Sequence, residues 1–78
     1  MFDFKFIEKY IEMSEEDEFT LKDDKGFEKW FNTRSLCGSA MMNDNTVIVY
    51  YTYNSEYFYY ENKDVAYQIS EFIDHMSS

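Results

Sequence analysis

The sequence predicts an α+β domain: a small antiparallel sheet of three to four strands with an N-terminal and a C-terminal helix packed on one face. Three observations lead to this prediction. Two runs of β-branched and aromatic residues flank turn residues, a C-terminal segment carries apolar residues at helical spacing, and an N-terminal segment has one apolar side. With 78 residues, the chain is expected to form a single compact domain, residues 1–78.

The first element is predicted as a helix over residues 3–14, with Asp3 as its N-cap. The alternation of Phe2, Phe4 and Phe6 would also fit a strand. The run of acidic residues that follows interrupts the pattern and is expected to lie in solvent. The apolar residues that would share one side of the helix are Phe6, Ile7, Tyr10 and Ile11.

A short strand is predicted at residues 19–21, closed by a turn. Residues 27–38 fit two elements. A helix, which we favour, would gather Phe27, Trp30, Phe31 and Leu36 and end at Gly38, a usual C-cap residue. The alternation of Phe27, Lys29 and Phe31 equally suits the return strand of a hairpin. The turn before this segment is Asp23-Asp24-Lys25-Gly26.

The clearest strands are residues 46–53 and 57–60, which are almost wholly β-branched or aromatic. Asn54-Ser55 predicts a two-residue hairpin loop in which Tyr53 pairs with Glu56. A three-residue loop would slip the register and exchange some members of the two faces. The face predicted to enter the core contains Val47, Val49, Tyr51, Phe58 and Tyr60, and the opposite face contains Ile48, Tyr50, Thr52, Tyr57, Tyr59 and Glu61.

That second, tyrosine-rich face has two interpretations. Tyrosines often occupy the solvated side of a sheet, and they are also enriched among residues that carry binding energy. Upstream, Asn43-Asp44-Asn45 predicts a turn, so that Met41 and Met42 would belong to a preceding strand. Downstream, Asp64 is the expected N-cap of a helix that runs to about residue 76. The apolar residues on one side of that helix are Val65, Ile69, Phe72, Ile73 and Met76.

No catalytic, cofactor-binding or metal-binding signature is present, and neither an enzyme nor a cofactor is expected. The sole histidine, His75, is expected on the surface, and Cys37, the sole cysteine, is expected as a buried structural thiol. Two glycines, Gly26 and Gly38, are too few for a phosphate-binding loop, and the acidic turns lack the calcium-loop pattern. No signal-peptide pattern or apolar run of membrane-spanning length occurs, so we expect a cytoplasmic protein.

The net charge of the chain restricts the classes of partner that it is expected to bind. Sixteen acidic against seven basic residues give a formal net charge of -9, and Lys63 is the only base in residues 35–78. The summed field repels nucleic acid and anionic membranes, which disfavours direct binding to either, and it attracts a basic protein or nucleoprotein. A homodimer is also possible. The predicted partner-binding residues are Asp44, Tyr50, Glu56, Tyr57, Tyr59, Glu61, Asp64, Glu71 and Asp74, with Glu15, Glu16, Asp17, Glu18, Asp23 and Asp24 as a second acidic cluster.

In size, acidity and aromatic content the whole chain resembles the small acidic inhibitor proteins of phages and mobile elements, including anti-CRISPR proteins and other DNA mimics. The resemblance implies a non-catalytic inhibitor that occupies the nucleic-acid site of a bacterial defence protein, with carboxylates standing in for phosphates. Six bases in residues 1–34 depart from strict mimicry and leave plain surface blocking open. The alternatives are an immunity protein or antitoxin for a basic toxin, and a regulatory or structural domain whose acidity serves solubility.

Overall fold

Over residues 2–77, which the computed structural model describes, the chain forms six strands and two α-helices. The α+β class is confirmed, but the strands form two antiparallel sheets of three strands each instead of one sheet. Single 3₁₀ turns follow the first helix and the third strand. The elements are α1 (Phe4–Ile7), β1 (Ile11–Glu15), β2 (Glu18–Lys22), β3 (Glu28–Asn32), β4 (Leu36–Met41), β5 (Thr46–Tyr51), β6 (Asn54–Tyr59) and α2 (Lys63–Met76).

Each sheet is a meander, in which every strand pairs with its neighbour in the sequence, in the orders β1-β2-β3 and β4-β5-β6. The inner faces of both sheets and of α2 share one apolar core. Phe31 of the first sheet lies 5.5 Å from the ring of Tyr51 and 6.0 Å from that of Phe58, both in the second sheet. Rings therefore fill the space between the sheets, where they bury more area than aliphatic side chains could.

The second helix packs on the inner face of the second sheet. Its N-cap is Asn62 and not the predicted Asp64, because the Asn62 side chain accepts hydrogen bonds from two backbone N–H groups of the first turn. Ser39 of β4 holds the helix at its other end: its Oγ lies 2.7 Å from Ser70 Oγ and donates to Asp74 at 2.8 Å. The helix buries Val65, Ala66, Ile69, Phe72 and Ile73, while Met76 is partly buried.

The helix predicted over residues 3–14 is wrong beyond its first turns. Asp3 caps α1 as predicted, but the chain leaves the helical conformation by Tyr10. Ile11 instead begins β1, where it pairs with Leu21 and is buried. The strand conformation buries Ile11 and also pairs its segment's backbone with β2, which a continued helix could not do.

The helix favoured for residues 27–38 is also wrong, and the alternative return strand is the one observed. Phe31 of β3 lies opposite Phe19 on the inner face, with their ring centroids 5.8 Å apart, while its neighbour Trp30 faces solvent. A helix would have placed Trp30 and Phe31 on one side. Gly38 is not a C-cap: it lies at a β-bulge in β4 with φ of 142°, a conformation that favours glycine.

The same bulge explains why Cys37 is exposed instead of buried. Leu36 pairs with Tyr51 and Gly38 with Tyr50, so Cys37 is the extra residue of the bulge. The neighbouring Leu36 contributes its side chain to the core and is buried, whereas the cysteine side chain takes no part in the core.

The β5–β6 hairpin has the predicted two-residue loop, but at a different place. Thr52-Tyr53 forms the loop, and Tyr51 pairs with Asn54, so the predicted Tyr53–Glu56 pair is wrong. The observed register sets Val47 opposite Phe58 in the core. Because the loop moved by an even number of residues, each side chain of the two strands keeps its predicted face.

Asp23 ties the first sheet to the second. Its Oδ1 accepts the backbone N–H groups of Lys25 and Phe27, at 3.0 and 2.8 Å, which fixes the β2–β3 turn. Its Oδ2 accepts the N–H of Tyr59 in β6, at 2.9 Å. One carboxylate therefore satisfies three backbone donors that belong to two different sheets.

Asp24 continues the same link. Its backbone N–H donates to the Tyr59 carbonyl at 3.0 Å, and its carboxylate accepts the Glu61 N–H and the Tyr10 hydroxyl at 2.9 and 2.8 Å. The buried Tyr60 hydroxyl donates to the Lys22 carbonyl at 2.7 Å beside it. We call Asp23 and Asp24, with these contacts, the inter-sheet link.

The tyrosines at this link make stability depend on pH in the alkaline range. Burial and the hydrogen bond to Asp24 raise the pKa of Tyr10 to about 12, and burial raises the pKa of Tyr60 as well. In the unfolded chain both hydroxyls ionise near pH 10. The folded state thus binds more protons above that pH, so the stabilisation from these two hydroxyls should be fully present below about pH 10 and be lost progressively from there towards pH 12.

Urea unfolding at pH 8 and at pH 11 measures this loss, and Tyr10→Phe should reduce the difference between the two. An equal free energy of unfolding at both pH values would contradict the prediction.

Candidate functional site

The outer face of the second sheet, opposite α2, is the most unusual surface of the protein. Its three strands, of six residues each, contain one charged side chain, Glu56, and that residue shares the inner-face side with Val49 and Phe58. Tyr50 and Tyr57 on the outer face are 41% and 57% exposed. The outer face, as we use the term, comprises Ala40, Thr46, Ile48, Tyr50, Ser55, Tyr57 and Tyr59.

One end of the outer face adjoins a shallow depression of about 420 Å³ beside the inter-sheet link. Phe27, Met42 and Tyr57 give it apolar walls, and Asp44 gives it acidic character. The Lys25 ammonium lies 4.6 Å from the centre of the Tyr59 ring. A lysine of the chain itself therefore already makes a cation–π contact with one tyrosine of this face.

The sequence placed Tyr50, Tyr57 and Tyr59 on one surface, and the structure brings these three together. Two acids predicted with them also lie near that surface. Asp44 is in the β4–β5 turn, where it accepts the Thr46 N–H at 3.3 Å, and Glu61 follows β6.

The other predicted acids of this half lie elsewhere. Glu56 accepts the Tyr51 hydroxyl at 2.8 Å, and this hydrogen bond raises the pKa of Tyr51. Glu71 on α2 lies beside Tyr67, and its carboxylate raises the pKa of the Tyr67 hydroxyl. Because α2 packs on the inner face, its acids lie on the other side of the sheet from the outer face; they are Asp64, Glu71 and Asp74.

The second acidic cluster is not a continuous acidic surface. Glu15 ends β1, Glu16 and Asp17 form the β1–β2 turn, and Glu18 begins β2, but Asp17 forms a salt bridge with Arg34 at 3.0 Å. Asp23 and Asp24 are engaged in the inter-sheet link. Their carboxylates already accept hydrogen bonds from backbone N–H groups of the same chain.

Sequence reasoning missed a second group of exposed rings. Trp30 on β3 is 53% exposed, and Tyr53 at the β5–β6 loop is 86% exposed; together with Arg34 they line an open depression. Trp30 was assigned to the apolar side of a helix, which hid its exposure. The alternative strand interpretation places Trp30 on the opposite side from Phe31 and so predicts that Trp30 is exposed.

Among residues 2–77 no group of three or more His, Cys, Asp and Glu side chains is arranged to hold a metal ion. Within the same residues, no helix has the length and apolar character to cross a membrane. His75 is exposed near the end of α2, with its ring 5.3 Å from that of Phe2. Comparison of the chain with protein-family models, curated proteins and solved structures found no match.

Proposed function

We propose that this protein is a non-catalytic inhibitor that binds a basic, nucleic-acid-handling defence protein of bacteria and blocks its nucleic-acid site, in the manner of anti-CRISPR proteins. The outer face is the docking surface in this proposal, and the target would be met in the cytoplasm. A single observation carries the proposal: a chain of net charge -9 has no carboxylate among the outer-face residues and exposes tyrosines there.

Two forces would act on such a partner. The acidic remainder of the surface attracts a basic protein at long range and speeds its approach. Tyrosines then supply contact area at a low cost in side-chain entropy, because each has only two rotatable side-chain bonds. The uncharged face needs no desolvation of carboxylates, which would otherwise oppose close contact.

Surface blocking is supported better than strict DNA mimicry. Mimicry needs carboxylates displayed at regular spacing, whereas Asp17, Asp23 and Asp74 are engaged within the chain. Of the other predicted acids, Asp44 and Glu61 lie near the outer face and Glu71 lies on the opposite side of the second sheet, while Glu15, Glu16 and Glu18 lie in the first sheet and its β1–β2 turn. The inhibitor would therefore cover its target's basic surface and not imitate a phosphate backbone.

The double variant Tyr50→Ser, Tyr57→Ser tests the docking surface. Both rings are exposed, so the variant should unfold at nearly the wild-type urea concentration, yet lose at least about tenfold in affinity for the partner. Affinity capture from bacterial cells that encode defence nucleases, followed by mass spectrometry, would identify the proteins that wild type retains and the variant does not.

Tyr53→Ser, Tyr67→Ser is the matched control, since it removes two exposed tyrosines outside the outer face. The retained protein should bind nucleic acid, should be displaced by it, and should bind less tightly as salt rises from 50 to 500 mM because the long-range attraction is screened. Equal retention by all three proteins, or a retained protein without affinity for nucleic acid, would contradict the proposal.

A further inference from the structure

The edge strand β6 has backbone groups without a partner. Tyr59 uses its N–H and its carbonyl to bind the inter-sheet link, so both groups point away from β5. In an antiparallel ladder this direction alternates along the strand, so the N–H and carbonyl groups of Ser55 and Tyr57 also point away from β5. Within residues 2–77 nothing hydrogen-bonds these four groups.

The chain itself already uses part of this edge in the way that an added strand would. Asp24 donates its N–H to the Tyr59 carbonyl, and Asp23 accepts the Tyr59 N–H. The inter-sheet link thus occupies the outward-pointing backbone groups of Tyr59 but leaves those of Ser55 and Tyr57 without a partner within residues 2–77. The edge from Tyr57 back to Asn54 has no proline, lysine or bulge, and the carboxylate of its one charged residue, Glu56, accepts the Tyr51 hydroxyl on the inner-face side.

The side chains beside this edge favour a cation. A strand added to β6 would place alternate side chains on the outer face, directly beside Tyr57, about 5 Å away. Three lysines of the chain lie over tyrosine rings at 4.6 to 5.6 Å, namely Lys9 over Tyr10, Lys25 over Tyr59 and Lys29 over Tyr51. The exposed Tyr57 ring offers the same contact to a partner's Arg or Lys, and the net charge of -9 favours it.

We propose that an extended, basic segment of the partner binds along β6 as a fourth strand of the second sheet, hydrogen-bonded to Ser55 and Tyr57, with an arginine or lysine over the Tyr57 ring. The inference rests on the proposed function for the identity of a basic partner, and it adds the mode of binding. A second copy of the chain fits less well, because two copies would bring a total charge of -18 together.

A ten-residue peptide of alternating Arg and Thr is the probe. With it, amide hydrogen exchange measured by NMR on the full chain should slow by at least about tenfold at Ser55 and Tyr57. The amides of Glu56 and Phe58 already donate to β5 and should change little. Tyr57→Phe should keep the affinity and Tyr57→Leu should lose about tenfold, since leucine preserves apolar area but removes the ring.

Two control peptides separate the contributions: Glu in place of each Arg removes the cations, and N-methylation of alternate amides removes the strand pairing. Both should abolish binding. No binding of the Arg-Thr peptide at about 1 mM, or binding with unchanged exchange at Ser55 and Tyr57, would overturn the inference. Slow exchange at these amides in the free protein, together with a dimer detected by analytical ultracentrifugation, would also overturn it, because a second copy would then occupy the edge. Capture of a nucleic-acid-binding protein by the wild-type chain tests the proposed function independently of these results.

Discussion

Phe58→Ala should destabilise the protein by about 4 kcal/mol, and it should leave a chain that unfolds at a much lower urea concentration. Phe58 has no exposed surface, and its ring lies 5.1 Å from Phe27 and 6.0 Å from Phe31. Its removal leaves a cavity at the junction of the two sheets, where several rings would lose their contacts together. For a chain of this length the total free energy of unfolding is on the order of 8 kcal/mol, so this single change would remove about half.

Tyr57→Ala is the control, because the two residues are adjacent and lie on opposite faces of β6. It should cost less than about 1 kcal/mol, since Tyr57 is more than half exposed. Urea unfolding followed by circular dichroism gives both values. If Tyr57→Ala destabilised as much as Phe58→Ala, the outer face would be part of a core and could not be a free docking surface.

Asp23→Ala should cost about 3 kcal/mol, which is far more than removal of an ordinary surface carboxylate. Three backbone N–H groups, of Lys25, Phe27 and Tyr59, would lose their acceptor at once. The β2–β3 turn would loosen, and the first sheet would lose its attachment to β6. The melting temperature should fall by more than 10 °C in a chain of this size.

Glu16→Ala makes the same change of charge at an exposed position in the β1–β2 turn and should change stability by less than about 0.5 kcal/mol. Asp23→Asn should fall between the two, because an amide oxygen can still accept from the turn while the NH₂ group faces the Tyr59 donor. Thermal unfolding of the four proteins checks this order, and a similar loss from Glu16→Ala and Asp23→Ala would contradict it.

Alternation and composition were sufficient to predict the second half of the chain. The faces of β5 and β6 were predicted correctly although the loop was misplaced, because a shift of two residues preserves the side of every side chain. Four of the five buried residues of α2 followed from their helical spacing, all but Ala66, although its cap did not. Asn62 and Asp64 are both good caps, and the choice depends on where the chain leaves β6.

The first half was predicted less well, because tertiary pairing decides it. Ile11 and Phe31 are compatible with helix and strand alike, and only the presence of β2 between β1 and β3 favours the strand for both. The roles of Asp23 and Asp24 could not be predicted from the sequence for the same reason. Local chemistry identifies a turn there, but the hydrogen bond to Tyr59 joins residues 36 positions apart.

The meander order of the two sheets also bears on how the chain folds. Every strand pair is closed by a connection of two to five residues, so each pairing has a small entropic cost and can form on the microsecond scale of an isolated hairpin. The contact between Asp23 and Tyr59 closes a far longer loop. The docking of the two locally formed sheets therefore has a loop-closure cost that none of the hairpins has, and the residues of the inter-sheet link are the ones that report on this step.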